Sequence, residues 1–193
     1  MRVFIAALVL IFSFQSWTKA DDISDFEIEG MSVGDSLLDY FSEEEIKKAE
    51  ENSTAYKDNR YIVIFSNKSS QKYEEIEITY NPSDKNFLIH SLAGKIDYPD
   101  NYEKCKKKKS DIVAEIKELF KNAYTYDEEE PHAYDEFSFV DETVFYPDYG
   151  GYIRISCTDY SEEMDTKHGW EDDLAVTIGS EEFEIFLADE AYN

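Results

Sequence analysis

Histidine is scarce in this chain of 193 residues, with only His90, His132 and His168 present. No two of them stand at HxxxH or HExxH spacing, so there is no helical metal pair of the zinc-hydrolase kind. No oxygen-ligand loop has the EF-hand spacing with its central glycine. No G-x-S-x-G turn is present to strain and expose a serine nucleophile. The pair Gly150-Gly151 stands alone and reads as a turn rather than a phosphate cradle. No cofactor is expected. Basic residues number 19 against 44 acidic ones, a net charge of −25. Such a charge opposes contact with nucleic acid and anionic lipid. Past residue 14 no apolar run is long enough to span a membrane, which takes roughly 20 residues.

The one long apolar run is at the start. Met1-Arg2 supplies a positive charge, Val3 to Phe14 is apolar, and Gln15 to Ala20 is polar with small residues at Thr18 and Ala20. This pattern predicts a secretory signal peptide over 1–20, cut between Ala20 and Asp21. The run is shorter than a spanning helix, and no cysteine at the cut site is available for lipidation. Export to the periplasm or the extracellular space follows, with no membrane span in the mature chain. It also removes nucleic acid as a partner that the acidity might mimic. Residues 21–193 then form one domain of ordinary size. High charge is one mark of disorder. Here 42% hydrophobic content, with fifteen Tyr and thirteen Phe, is enough to build a core.

Two cysteines, Cys105 and Cys157, are an even count in an exported chain and predict a disulfide. Cys105 shares a helical stripe with Tyr102, Ile112 and Ile116. Cys157 shares a strand face with Ile153 and Ile155. Both point toward a core, as a helix-to-sheet bridge requires. The bridge closes a loop of about 50 residues, worth roughly 4 kcal/mol by chain entropy.

Gly30 to Ser36 reads as a turn and helix start, with Leu37 to Phe41 on a short helix. Ser42-Glu43-Glu44-Glu45 is a capping box that opens a second helix to about Asn52. Three strands follow at 60–66, 73–80 and 87–96. In the middle one Ile76, Ile78 and Tyr80 face one way and Glu75, Glu77 and Thr79 the other. Residues 100–122 are the longest helix, with an apolar stripe through Cys105, Val113 and Ile116. Residues 123–136 are acidic, carry Pro131 and read as an exposed loop. A hairpin spans 137–146 and 151–158, 161–173 is polar, and 174–178 is a strand. Ser180 caps a helix over 181–191, with a strand as the rival assignment because 182–187 also partly alternates. The expected fold is α+β, an antiparallel sheet with helices packed on one face, in a single domain.

The stretches Phe26–Lys48 (FEIEGMSVGDSLLDYFSEEEIKK), Ile96–Tyr98, the Cys105 helix, Arg154–Tyr160 (RISCTDY) and Glu182–Tyr192 together resemble small uncharacterised exported proteins of marine bacteria. The resemblance covers most of the mature chain and implies export without implying an activity. The Gly30-Met31-Ser32 start, followed by two helices and a meander, is also similar to small outer-membrane assembly lipoproteins and β-lactamase-inhibitor-like modules. The chain departs from the lipoproteins in lacking the lipidated cysteine.

One basic cluster breaks the acidity: Lys104, Lys106, Lys107, Lys108 and Lys109 on the long helix. They read either as a contact patch for an acidic partner or as a solvated helix face. His168 with Asp165, Glu171, Asp172 and Asp173 reads either as a metal group or as a solvated acidic loop. No catalytic residue and no metal ligand is assigned. The leading expectation is a non-catalytic exported module that binds an envelope protein partner, with aromatic-rich acidic loops bearing Tyr124, Tyr126 and Tyr134. The alternatives are an enzyme of undetermined, hydrolase-like class, for which a pocket gathering acids with His90 would count, and a weak divalent-cation binder.

Overall fold

The structure, a computed structural model, describes residues 23–66, 70, 72–99, 101–132 and 135–191. The predicted leader 1–20, its predicted cut between Ala20 and Asp21, and Tyr134 lie outside the described residues. After two single 3-10 turns, Ile23–Asp25 and Leu37–Asp39, the chain runs α1 (Glu43–Glu50), β1 (Thr54–Ala55), β2 (Ile62–Phe65), β3 (Glu75–Tyr80), β4 (Ile89–Asp97) and α2 (Tyr102–Leu119). It continues as β5 (Tyr124–His132), β6 (Asp135–Tyr146), β7 (Tyr152–Asp159), α3 (Glu162–His168), β8 (Asp173–Gly179) and α4 (Glu181–Asp189). The eight strands form one sheet in the order β1-β2-β3-β4-β8-β7-β6-β5, every neighbouring pair antiparallel. The last strand, β8, joins the β1–β4 meander to the β5–β7 meander.

Strand alternation gives the sheet two different faces. The inner face carries Ile64, Ile78, Leu92, Ile178, Ile153 and Ile155, brought side by side by the register. These residues form the main core with Ile46 of α1 and Cys105, Val113 and Ile116 of α2. The predicted capping box starts α1: Ser42 accepts from the Glu45 amide, and Glu45 accepts from the Ser42 amide at 2.8 Å. Asn101 caps α2, accepting from the Lys104 amide. The α+β expectation therefore holds, with α1 and α2 on one face of an antiparallel sheet. α4 adds a smaller layer on the opposite, outer face. There Tyr61, Val144 and Tyr152 present an apolar patch that Phe183 and Phe186 cover. With its N-cap Ser180 accepting from the Phe183 amide, α4 excludes the rival strand for this segment.

Two expectations are corrected. Residues 124–132 are a strand, not a loop, paired along their whole length with β6. Four consecutive acids have poor strand propensity, but cross-strand partners hold them: the Thr143 hydroxyl donates to Asp127 at 2.6 Å. Pro131 is tolerated because β5 is an edge strand, where a missing donor breaks no ladder. The polar stretch 161–173 contains α3 and the first residue of β8. Ser161 caps α3 and Gly169 ends it in the left-handed conformation, φ 68°.

Candidate functional site

On the outer face the three central strands carry small side chains. Ala93 of β4 pairs with Thr177 of β8, and Ala175 of β8 pairs with Ser156 of β7. Larger charged residues flank this floor, Glu77 and Lys95 on the β3–β4 side, Arg154 and Glu142 on the β7–β6 side. At one end Tyr152 lies against Gly179, where any Cβ would collide with the ring. At the other end stand Tyr160, His132 and Trp170, with ring centroids 5.3 Å (His132–Tyr160), 5.4 Å (Tyr160–Trp170) and 5.9 Å (His132–Trp170) apart.

The face is curled. Four strand spacings separate β4 from β5, about 19 Å in a flat sheet. Even so, the His132 ring at the end of β5 lies 5.3 Å from the Tyr160 ring just after β7; burial lowers the His132 pKa, Asp135 opposes this, and Lys95 lowers it further. The tip of the β5–β6 ribbon therefore lies against Tyr160 and Trp170.

Lys95 is the centre of an ionic cluster. Its Nζ stands 2.7 Å from Glu77 Oε1, 3.8 Å from Glu75 Oε1 and 3.9 Å from Asp173 Oδ2. Burial works against the ammonium, but Glu77 and Asp173 outweigh it and hold its pKa above the ordinary lysine value. Asp173 is only 6% exposed. Burial pushes its carboxyl up to about 6, with Lys95 pulling the other way. Tyr160 is pushed up to about 12 by burial and then by Asp173. A second cluster sits across the floor. Arg154 Nε is 3.1 Å from Glu142 Oε2, and the guanidinium lies 5.5 Å from the Tyr152 ring centroid. Burial raises the Glu142 pKa, and Arg154 opposes it.

The residues singled out in the sequence fare differently. Cys105 and Cys157 are joined by a disulfide that ties α2 to β7, Cα to Cα 6.0 Å. The five lysines do not form one patch, because consecutive helical residues point about 100° apart. Lys109 is buried and bonds Asp141 at 2.5 Å. Lys104 lies over the Tyr98 ring and Lys106 over the Tyr102 ring, while Lys107 is exposed and Lys108 half-buried. His90 packs edge-on to Tyr61, with Nδ1 3.3 Å from Ser180 Oγ, and burial lowers its pKa against the pull of Glu182. A pocket of 160 Å³ lies between Glu29, Tyr40, Phe41 and Ser70, and no histidine lines it. His168 stacks on Trp170 at 4.8 Å, and Asp173, assigned above to a loop, is a buried strand residue. Among the described residues no group of three His, Cys, Asp or Glu side chains is arranged to hold a metal ion. No described helix is long and apolar enough to cross a membrane.

Sequence reasoning missed the Lys95–Asp173–Tyr160 cluster. Its one available signal was the small and polar half of the β7 and β8 alternation: Ser156, Thr158 and Tyr160, then Asp173, Ala175 and Thr177. These structural features define a single-domain α+β protein with an eight-stranded antiparallel sheet, α1 and α2 on its inner face and α4 on part of its outer face. No family model, curated protein or solved structure matches the chain.

Proposed function

We propose that this chain is an exported, non-catalytic binding module that engages an envelope protein partner through its β5–β6 ribbon. One observation carries the reading. Of seven large hydrophobic side chains exposed among the described residues, four lie on the ribbon or in the turn after it: Tyr124, Phe137, Phe139 and Tyr149. Phe137 and Phe139 lie near the tip of the ribbon on one face, and Tyr124, opposite Tyr146, lies at its base on the other; aromatic side chains are enriched at protein interfaces. The acids Asp127 to Glu130 alternate between the two faces of β5, so both favour a basic partner. The leader and the disulfide support an oxidising compartment.

The test is affinity capture from envelope extract with the immobilised protein. A partner retained by the native chain, and lost when Tyr124→Ser and Phe137→Ser are combined, is the expected result. Both positions are exposed, so the fold survives the change. Failure to retain any protein above a scrambled-sequence control, or equal retention by the double variant, counts against the ribbon.

A further inference from the structure

We propose that the open edge of β5 accepts a basic, extended peptide segment that adds to the sheet as a further strand. This rests on the ribbon reading above and names how the partner docks and what chemistry it carries.

The two edges of the sheet differ. β1 has two residues, whereas β5 has nine and pairs only with β6. The groups that β5 turns outward follow from alternation. In an antiparallel ladder the N–H and C=O of one residue point to one neighbouring strand, and those of the next residue point to the other. The Ser180 amide donates to the His90 carbonyl at 2.8 Å, and the Tyr98 amide donates to the Asp172 carbonyl at 2.6 Å. The even residues of β8 therefore bond toward β4 and the odd ones toward β7. The register carries this across the sheet: Ser156 turns toward β8, Ile155 toward β6, Val144 toward β5 and Tyr126 toward β6. The backbone groups of Thr125, Asp127, Glu129 and Pro131 are left facing out. Pro131, which has no N–H to offer, falls in this outward set, where an edge proline breaks no ladder. Outside the ladder no described backbone group bonds the amides of Thr125, Asp127 or Glu129.

Charge selects the occupant. Asp127 to Pro131 are all exposed. Asp127 and Glu129 stand on the face that carries Ile155 and Cys157, and Glu128 and Glu130 on the opposite one. Among the described residues no basic side chain forms an ion pair with any of these four acids. A second copy docked edge to edge would set these acids against their own counterparts, and like charges opposite one another destabilise a strand pair. A segment with Lys or Arg at consecutive positions meets carboxylates on both faces. Its main chain also completes the outward bonds of β5, as in strand addition to other exposed sheet edges.

The probe is the fluorescently labelled peptide VTVKRKRVTV-amide, titrated with the full chain in about 0.15 M salt and followed by anisotropy. Two analogues accompany it. One is N-methylated at its Lys and Arg residues, which keeps the charge and removes the donors on either edge of the peptide. The other carries EDED in place of KRKR. Expected are saturable binding of the basic peptide, at least about tenfold weaker binding of the N-methylated one and none of the acidic one. On the protein, Glu129→Gln removes a charge only, and should weaken binding two- to threefold. Glu129→Pro also removes an outward amide that β6 does not use, and should weaken it at least about tenfold. No saturable binding, or equal binding of the N-methylated peptide, overturns the proposal. So does equal affinity of the folded Gln and Pro variants; if the Pro variant does not fold, the N-methylated peptide decides. Loss of peptide binding beside intact envelope capture strikes the β5 edge and leaves the ribbon reading standing. Loss of capture beside tight peptide binding strikes the envelope partner instead.

Discussion

Buried at the start of β8, the Asp173 carboxyl is pushed up to about 6 by loss of solvent, against the pull of Lys95. An unfolded aspartate titrates near 3.9. The folded state therefore holds the proton more tightly than the unfolded state, and the ionised carboxyl weakens the fold. By linkage, this penalty is fully present above about pH 6, shrinks as pH falls and vanishes below about pH 4. A shift of about two pKa units corresponds to at most about 3 kcal/mol. We expect Asp173→Asn to be about 1–3 kcal/mol more stable than the native chain at pH 7.5. The two should converge toward pH 4, as read from urea midpoints at each pH. A variant less stable than the native chain at pH 7.5, with the deficit fading toward pH 4, would show that the ionised carboxyl is a net contributor to the fold.

Elements that announce themselves locally were legible from the sequence. The capping box of α1 lies in Ser42 and Glu45, and the two faces of β3 lie in the alternation from Glu75 to Tyr80. The disulfide could be read because each cysteine sits on an apolar stripe of its own element, one helical and one extended. β5 was illegible because Asp127 to Glu130 have no strand preference of their own; their conformation is set by β6 across the ladder. α3 has seven residues and buries only Met164, too little apolar surface to show a period, although Ser161 and Gly169 mark its ends. The outer-face cluster draws Lys95 from β4, Asp173 from β8 and Tyr160 from just after β7, and no single segment carries its pattern. The disulfide supplies the prediction at this scale. Cys105 and Cys157 are 52 residues apart in sequence, and closing such a loop in the unfolded chain is worth roughly 4 kcal/mol. Cys105→Ala with Cys157→Ala should lower stability by about 2–5 kcal/mol while the far-ultraviolet spectrum of the folded protein is kept. A loss under about 1 kcal/mol would mean that residual structure already restricts the unfolded chain.

At the scale of the whole molecule, 44 acidic residues face 19 basic ones on a single domain. The paired cations are spent locally: Lys95 on the outer face, Lys109 against Asp141, Arg154 against Glu142 and Arg60 against Glu190. Most of the acids are left to repel one another, and β5 gathers four of them on an edge strand. Repulsion of this kind deters edge-to-edge aggregation but loads the compact state more than the expanded one. Salt distinguishes this repulsion from the buried networks. At 0.01 M ionic strength charges interact over about 30 Å, the span of the whole domain, whereas at 0.1 M the reach is about 10 Å and at 1 M about 3 Å. Surface repulsion is therefore screened away while the buried contacts of Lys95 and Lys109 persist. Raising sodium chloride from 10 mM to 500 mM at pH 7.5 should raise Tm by about 2–6 °C, which for a domain of this size corresponds to about 1–2 kcal/mol. At pH 4, where about half of the carboxylates are neutral, the same addition should change Tm by less than half as much. A fall in Tm with salt at pH 7.5 would show that the ion pairs stabilise the fold by more than the excess acids weaken it, and would reverse the order of these two effects.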